Sequence, residues 1–308
     1  MTSIKRPVEF LSQGVTVRGD LYLPARGEQP FPVVVMAGGW CYVKELVMPS
    51  YAQYFLEAGF AALIFDYRQF GASDGEPRQH IDPWAQIEDY KNAISFVQSL
   101  KEIDRDRVGI WGISYSGGHV LVVAATDPRV KCVVSNIPVV DGWNTMWRVH
   151  GSVGFRRLTA KLLEDRSQRS RTNDYGYLPM SGEGGQPELV TWPDPEVRSV
   201  FLKIKATDAP AHEHINTIAS IENLLSYDVS PFPGRIFDTP TQMIVASGDD
   251  ITMWDLEIAT YHRIATTKKE LYVIPGTSHM ALYSSKTRLQ IAGENAARWF
   301  SLHLRRVQ

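Results

Sequence analysis

The sequence has little cysteine and no strong excess of either charge. Cys41 and Cys132 are the only cysteines among 308 residues, and each lies in an apolar stretch, so neither a disulfide framework nor a cysteine-based metal site is predicted. The 32 basic and 34 acidic residues give a net charge of -2, which supplies no general attraction for nucleic acid or an anionic membrane. We therefore expect no nucleic-acid partner and a reducing, cytoplasmic environment.

Long apolar stretches are also missing. No stretch reaches the roughly 18 uninterrupted apolar residues typical of a membrane-spanning helix, and the basic start (MTSIKRPVEF) has no apolar region after it, unlike a secretory signal. What is present is a globular composition, with 44% hydrophobic, 21% charged and 11% aromatic residues. These proportions predict a protein with a sizeable core and no membrane partner.

The order of the apolar patterns predicts an α/β fold. Residues 15–23 alternate between apolar and polar side chains around turn signals at Gly14 and Gly19, which predicts an antiparallel hairpin at the start. Six short apolar runs follow, and their length and Val/Ile content are typical of strands buried on both faces of a parallel sheet. These runs are 31–37, 60–65, 108–113, 130–134, 243–246 and 271–274.

Helical periodicity occurs between these runs. Asp82 and Pro83 supply an N-cap and a first-turn proline, and residues 87–97 then repeat apolar side chains every three or four positions. Residues 289–304 have the same spacing. This alternation predicts a mostly parallel sheet with helices on both faces. Ligands of such sheets bind at the carboxyl ends of the strands.

Residues 141–235 interrupt the alternation. They contain seven prolines and the glycine-rich run 181–185, and they are too many for an ordinary loop. We therefore predict that residues 1–140 and 236–308 form the core, and that segment 141–235 is an inserted lid with helices of its own.

Two groups of residues in segment 141–235 have more than one interpretation. Its basic residues between 148 and 171 either pair with the acidic residues between 172 and 197 or meet an anionic part of a substrate. His212 and His214 share a face only on a strand and have no third ligand nearby. We interpret them as part of a solvated segment, with no metal site.

The strongest motif is Gly112-Ile113-Ser114-Tyr115-Ser116-Gly117. It follows the predicted strand 108–113 and precedes an apolar stretch predicted to be helical. Gly-x-Ser-x-Gly in this context is a nucleophile elbow, in which a strained turn exposes the serine Oγ and the glycines let the turn pack tightly. Ser114 is therefore the predicted nucleophile.

This motif resembles that of the α/β-hydrolase superfamily. The stretch Asp66-Tyr67-Arg68-Gln69-Phe70-Gly71-Ala72-Ser73 is similar to the superfamily's Asp-x-Arg-Gly-x-Gly-x-Ser pattern, with Gln69 at a position where glycine is commoner. The sequence is most similar to the dienelactone-hydrolase-like branch, and its elbow also resembles that of the X-prolyl peptidase and cocaine-esterase group. The resemblance implies the α/β-hydrolase fold and cofactor-free hydrolysis of esters, lactones, thioesters or amides.

A serine nucleophile needs a base and an acid that orients the base. In this fold they follow in the order serine, acid, histidine. His279 lies on the small-residue loop after run 271–274, where the resemblance places the base. Asp249 and Asp250 follow the preceding run; the resemblance favours Asp250, Asp249 is the alternative, and we expect the other one to cap the next helix.

The remaining candidates would bind the acyl group. Two backbone N–H groups are needed for the oxyanion, and we assign them to Tyr115 and Trp40. The Trp40 loop, Gly38-Gly39-Trp40-Cys41, departs from the usual His-Gly pair of the superfamily. The side chains of Trp40, Trp143 and Trp147 either line the substrate pocket or only pack segment 141–235 onto the core.

Together these residues predict a serine hydrolase that cleaves a carboxylic ester or related acyl bond of a small molecule. The catalytic residues are predicted to be Ser114, Asp250 and His279, with no cofactor and no metal. Acyl transfer and amide cleavage use the same groups and are the alternatives. A non-catalytic binding protein on the same fold is the hypothesis from another class, and a homodimer is a further hypothesis.

Overall fold

A mostly parallel sheet lies at the centre of the structure, a computed structural model that describes residues 3–183 and 188–304. The strands of this large sheet are β1 (Ile4–Ser12), β2 (Val15–Leu23), β3 (Phe31–Ala37), β4 (Ala61–Phe65), β5 (Ile103–Ile113), β6 (Val130–Asn136), β9 (Thr241–Ala246) and β10 (Lys269–Ile274). Strands β7 (Tyr177–Pro179) and β8 (Ile215–Thr217) form a small second sheet. The order in the large sheet is β1-β2-β4-β3-β5-β6-β9-β10. β2 is antiparallel to β1 and β4, and the other neighbours are parallel.

The N-terminal hairpin confirms one of its two predicted turn signals, Gly14, and not the other, Gly19. Its strands are β1 and β2, joined at Gln13 and Gly14, whereas Gly19 lies inside β2 and pairs with Phe65. A Cβ at Gly19 would lie 2.5 Å from the carbonyl oxygen of Ile64. Gly19 therefore allows β2 to approach β4 closely, and the prediction of a turn there is wrong.

Several helices pack against the large sheet. The helices of the described residues are α1 (Met48–Glu57), α2 (Pro83–Gln98), α3 (Tyr115–Thr126), α4 (Gly142–Thr172), α5 (Pro195–Thr207), α6 (Ile218–Leu225), α7 (Trp254–Arg263), α8 (Ala281–Ser284) and α9 (Lys286–Leu304). Helices α1 and α9 contact each other, as do α2 and α3, and both pairs contact β5 or its neighbours. The predicted cap of α2 is confirmed, because the Asp82 carboxylate accepts hydrogen bonds from the N–H groups of Trp84 and Ala85.

Segment 141–235 runs between β6 and β9 and contributes α4, β7, α5, β8 and α6. Helix α4 is broken at Gly151, which has a φ of 62°. Arg166 and Arg169 on α4 pair with Glu222 on α6, and Arg148 pairs with Asp255 on α7. These arginines therefore bind acidic residues outside 172–197, contrary to the predicted pairing.

Within residues 3–183 and 188–304, no helix is both long and apolar enough to cross a bilayer.

Candidate active site

Ser114 occupies the turn between β5 and α3. Its φ of 57° and ψ of -119° are strained for a residue with a side chain, and the turn is held by hydrogen bonds on both sides. Ser114 N–H donates to the Asn136 carbonyl at 2.9 Å, and the Ser114 carbonyl accepts from Gly117 N–H at 2.9 Å and Val139 N–H at 3.0 Å. The backbone of the neighbouring β6 end thus fixes the position of the serine.

The two glycines of the motif lie where a side chain has no room. A Cβ at Gly112 would lie 2.2 Å from the Ser116 carbonyl oxygen, and a Cβ at Gly117 would lie 2.9 Å from the Pro138 Cα. Both approaches are shorter than side-chain carbons tolerate. The expected strand, sharp turn and helix around Ser114 are therefore present.

His279 lies on the loop after β10, and its carboxylate partner is Asp249. The distance from His279 Nδ1 to Asp249 Oδ2 is 2.6 Å, and both side chains are buried. Asp250 is exposed to solvent and does not contact the imidazole. The sequence preference for Asp250 is therefore corrected to the alternative, Asp249.

The turn after β9 explains why the first of the two aspartates faces inward. Asp249 Oδ1 accepts hydrogen bonds from the N–H groups of Ile251 at 3.0 Å and Thr252 at 2.9 Å, and Oδ2 accepts from Thr252 Oγ1 at 2.8 Å. These bonds leave Oδ2 directed at the imidazole. The expected cap by the other aspartate is absent, because Met253 occupies the N-cap position of α7 without a side-chain hydrogen bond.

The charge of Asp249 is stabilised inside the protein. Burial alone would raise the pKa of this carboxyl, but the adjacent His279 and the Thr252 hydrogen bonds outweigh burial and hold the pKa below its usual value. Because Asp249 is then an acceptor, Nδ1 of neutral His279 carries the ring proton. His279 Nε2 is left with a lone pair that can accept a proton.

Tyr283 contacts that lone pair. Its hydroxyl oxygen lies 3.3 Å from His279 Nε2, and its ring stacks on the imidazole at 5.5 Å between centroids. Within the described part of the chain no hydrogen bond joins Ser114 Oγ to His279, although both residues line one cavity. The Tyr283 O–H therefore donates to the atom that would act as the base.

The cavity at Ser114 has mainly apolar and aromatic walls and is narrow, with a volume of about 20 Å³. Its lining residues come from the core and from segment 141–235. They are Trp40, Tyr42, Ser114, Met180, Trp192, Val197, Phe201, Ile251, His279, Met280 and Tyr283. Since this set contains no Lys, Arg, Asp or Glu, the cavity is suited to an uncharged group.

Trp40 lines this cavity, whereas Trp143 and Trp147 do not. The rings of Trp143 and Trp147 stack on each other at 5.7 Å on α4 and remain 47% and 38% exposed. Both also contact Phe155. The structure therefore does not place them in this cavity, which was one of the two predicted roles, and they pack on Phe155 of the same helix.

The loop that carries Trp40 lies against the nucleophile. A Cβ at Gly39 would be 2.8 Å from the Ser114 Cβ, so this glycine is needed for the close approach. Ser116 Oγ donates to the Gly38 carbonyl and lies 2.6 Å from the Tyr67 hydroxyl. The main chain of the loop is thereby tied to the first turn of α3.

The Trp40 side chain is held by segment 141–235. Its Nε1–H donates to Asn216 Oδ1 at 3.0 Å, and the same oxygen accepts from Thr191 Oγ1 at 2.8 Å. The Trp40 ring also contacts those of Tyr115 at 5.2 Å and Trp192 at 5.9 Å. Segment 141–235 therefore sets the shape of the loop beside Ser114.

His212 and His214 also support this loop. His212 Nδ1 lies 3.0 Å from the Cys41 carbonyl, His212 Nε2 lies 3.2 Å from His214 Nδ1, and His214 Nε2 lies 2.6 Å from Ser181 Oγ. Burial lowers the pKa of each imidazole to about 4. The prediction that this stretch is solvated is wrong. In residues 3–183 and 188–304 it forms no metal-binding group of three ligands.

Comparison with known proteins shows the family of this chain. A family model described as X-Pro dipeptidyl-peptidase (S15 family) matches residues 13–279. The chain belongs to this family. The elbow similarity to the X-prolyl peptidase group is thereby confirmed.

The relatives of this S15-family chain include a protein named for quorum quenching and one named for acyl transfer. It is 36% identical over 228 residues to the quorum-quenching protein AidA of Acinetobacter baumannii, covering 74% of this chain and 72% of AidA. It is 31% identical over 279 residues to the acyltransferase drtE of Aspergillus calidoustus, covering 89% of this chain and 87% of drtE.

The fold is confirmed by a solved structure. The α/β hydrolase GrgF from Penicillium sp. sh18 superimposes with a TM-score of 0.82 at 22% identity, covering 98% of this chain and 99% of GrgF. Identity this low supports the fold alone. The predicted α/β-hydrolase fold is thus correct for this member of the S15 family.

The sequence analysis missed several residues of the site. Tyr283, Trp192 and Asn216 carry no motif, and each reaches the site from an element whose position depends on the whole fold. Thr252 also carries no motif, and only the folded turn after β9 brings its hydroxyl to the Asp249 carboxylate.

Proposed function

We propose that this chain is a serine hydrolase that cleaves the ester or thioester bond of an uncharged acyl compound. Ser114 is the nucleophile, His279 the base and Asp249 the acid that orients His279. The observation that carries the proposal is the pair of His279 and Asp249, 2.6 Å apart, on the same cavity as a serine in a strained strand-to-helix turn. Within the superfamily, the dienelactone-hydrolase-like branch stays a prediction.

The proposed reaction has two halves. When a substrate enters, His279 Nε2 exchanges its hydrogen bond with Tyr283 for one with Ser114 and accepts the serine proton as Oγ attacks the carbonyl carbon. The carbon–leaving-group bond then breaks, and Nε2 returns the proton to the leaving group. Water repeats these steps on the acyl-enzyme and releases the acid.

Negative charge on the carbonyl oxygen requires two donors in this mechanism. Tyr115 N–H is one, because the first residue of a helix has no acceptor for its N–H inside the helix. The second is Trp40 N–H, on the loop that packs against Ser114 through Gly39. This assignment stays as predicted from the sequence.

The substrate class follows from the cavity walls. An anionic acyl group would be desolvated without a cationic partner there, since the lining residues include no Lys or Arg. Three basic residues on α4 that could have met an anion, Arg148, Arg166 and Arg169, are instead paired with Asp255 and Glu222. We therefore propose a neutral alkyl or aromatic acyl group as the part of the substrate that enters.

Acyl transfer is the second candidate, and the burial of the reacting groups favours it. Ser114 and His279 are only 7% and 3% exposed, so an acyl-enzyme in this cavity has limited contact with water. An alcohol, amine or thiol seated in the cavity would compete with water for the acyl group. The acyltransferase named among the relatives agrees with this candidate.

The test of the proposal is intact-mass spectrometry after treatment with a small fluorophosphonate. We expect one adduct on the wild type, and none on Ser114→Ala or His279→Ala because the first lacks the nucleophile and the second its base. p-Nitrophenyl esters of increasing chain length then measure how much acyl group fits. A folded wild-type protein that forms no adduct and cleaves no ester would contradict the proposal.

The same esters separate hydrolysis from transfer. With a competing alcohol or thiol present, products are analysed by mass spectrometry. A transferred acyl product in excess of the free acid would favour acyltransferase activity, and free acid alone would favour hydrolysis.

A further inference from the structure

A second carboxyl group lies behind the proposed acid. Glu257 on α7 is fully buried, and its Oε1 lies 2.7 Å from Thr252 Oγ1. The same hydroxyl lies 2.8 Å from Asp249 Oδ2 and 3.3 Å from His279 Nδ1. Glu257, Thr252, Asp249 and His279 therefore form one chain of hydrogen-bonding groups, which we name the acid chain.

The number of protons in the acid chain decides its arrangement. A hydroxyl has one proton to donate, so Thr252 can donate to Asp249 or to Glu257 but not to both. The carboxyl that does not accept from Thr252 has to donate to it, because two oxygens at 2.7 Å with no proton between them repel. One of the two carboxyls must therefore carry a proton.

The contacts of the two carboxyls identify which one that is. Asp249 accepts from two backbone N–H groups and from His279 Nδ1, donors that stabilise a carboxylate. Glu257 Oε2 is buried with no hydrogen-bond partner, and no ion pair reaches Glu257 within the described part of the chain. Glu257 is thus the carboxyl suited to being neutral.

The charged groups around Glu257 point the same way. Burial raises its pKa, and the acidic neighbours Asp249 and Asp255 raise it further. The Asp255 carboxylate is paired with Arg148 of α4, and Arg235, on the turn packed against α7, is exposed and lies over the Phe232 ring. His279 faces the acid chain from the β10 loop, but its Nδ1–H belongs to Asp249.

We propose that Glu257 is a protonated positioning residue of the active site. It donates to Thr252, Thr252 donates to Asp249 Oδ2, and Asp249 is thereby held in one orientation against His279. The inference rests on the proposed function, in which His279 is the base. Because protonated Glu257 adds no second negative charge to the acid chain, Asp249 is the carboxylate that faces His279.

The first experiment replaces the acid by its neutral isostere. The titration of His279 is followed by NMR in protein labelled with ¹⁵N-histidine, with the signal assigned from its loss in His279→Ala. In Glu257→Gln we expect the pKa of His279 and the acidic limb of the kcat/KM profile to match the wild type. If Glu257 is instead ionised, its removal lowers that pKa by about one unit, which would overturn the proposal.

The second experiment breaks the chain at Thr252. In Thr252→Val we expect kcat to fall by about tenfold with little change in KM, because Asp249 loses a donor that acts on orientation, and the His279 Nδ1–H signal to move upfield. Thr252→Ser keeps the hydroxyl and is expected to restore both. Unchanged kcat and an unchanged signal in Thr252→Val would overturn the positioning role.

Asp255→Asn is the matched control for loss of a negative charge on α7. Asp255 is exposed and paired with Arg148, so neither the His279 titration nor kcat is expected to change. The NMR readout needs no turnover. An absent fluorophosphonate adduct would therefore defeat the proposed function while the titration still decides the protonation of Glu257.

Discussion

The core sheet and segment 141–235 contribute to one cavity in different ways. The core provides the groups proposed to react, and each of them follows a strand directly: Ser114 after β5, Asp249 after β9 and His279 after β10. Segment 141–235 provides Met180, Trp192, Val197 and Phe201, which form much of the wall. The difference indicates that regular elements position the chemistry, whereas packing between distant residues shapes the space around it.

The largest expected effect separates the two adjacent aspartates of the core. Asp249→Asn removes the carboxylate that holds the imidazole tautomer, and we expect kcat/KM to fall by about 10⁴-fold. Asp250→Asn changes an exposed side chain and is expected to alter it by less than about twofold. Steady-state hydrolysis of an activated ester measures both, and a larger loss in Asp250→Asn would return the acid role to that residue.

The next effect tests how strongly segment 141–235 controls the chemistry of the core. Asn216→Ala removes the acceptor of Trp40 Nε1–H, so we expect the loop beside Ser114 to shift and kcat to fall by about 10²-fold. Asn223→Ala is the matched control, because its amide donates to the Ile81 carbonyl away from Trp40. Equal kcat in the two variants would mean that the loop keeps its shape without segment 141–235.

A smaller effect concerns the wall of the cavity. Trp192→Ala enlarges the cavity, and we expect the preference between long and short acyl chains in kcat/KM to change by about tenfold in favour of long chains. Trp143→Ala removes an indole of equal size outside the cavity and is expected to leave the preference unchanged. A chain-length series of p-nitrophenyl esters measures it. A shift in Trp143→Ala of the same size would restore that residue as part of the pocket.

The smallest effect compares the stability of the two regions at acid pH. Burial lowers the pKa of His119 in the core to about 3 and that of His212 in segment 141–235 to about 4. Unfolded histidine binds a proton below a pH of about 6.5. The unfolded state therefore binds more protons, and stability falls as the pH drops below that value, by up to about 1.4 kcal/mol per pH unit for each residue.

Urea denaturation between pH 5 and 7.5 checks this comparison. His119→Gln and His212→Gln each remove one group that binds a proton only in the unfolded state. Each is therefore expected to reduce the slope of the free energy of unfolding against pH by up to about 1.4 kcal/mol per pH unit. If only His119→Gln does so in the main transition, segment 141–235 unfolds separately from the core. A slope that neither variant changes would contradict the assignment of both imidazoles as neutral in the folded state.

Much of the core was predictable because its signals are local. Short apolar runs marked the parallel strands, Asp82 and Pro83 marked the start of α2, and the glycines around Ser114 marked a turn with no room for side chains. One prediction of the core failed because two neighbouring residues are of the same type. Asp249 and Asp250 are both aspartates, yet one is buried and the other exposed.

Segment 141–235 was predictable only as a break in the pattern with its own helices. Trp192 lines the cavity and Trp143 does not, because of where α4 and the chain after β7 pack. No periodicity in the sequence encodes that difference. His212 and His214 were expected in solvent for the same reason. Their burial depends on the Cys41 carbonyl and on Ser181, which lie far away in the sequence.

The sequence by itself determined the α/β order of elements, the turn that exposes Ser114 and the loop that presents His279, because backbone geometry and apolar spacing act over a few residues. The tertiary structure alone decided that Asp249 is the partner of His279, that Tyr283 contacts Nε2, and that Glu257 lies behind Thr252. These choices depend on which polar groups meet in a buried space. Buried polar groups have to be satisfied together, and only the assembled fold brings them within hydrogen-bonding distance.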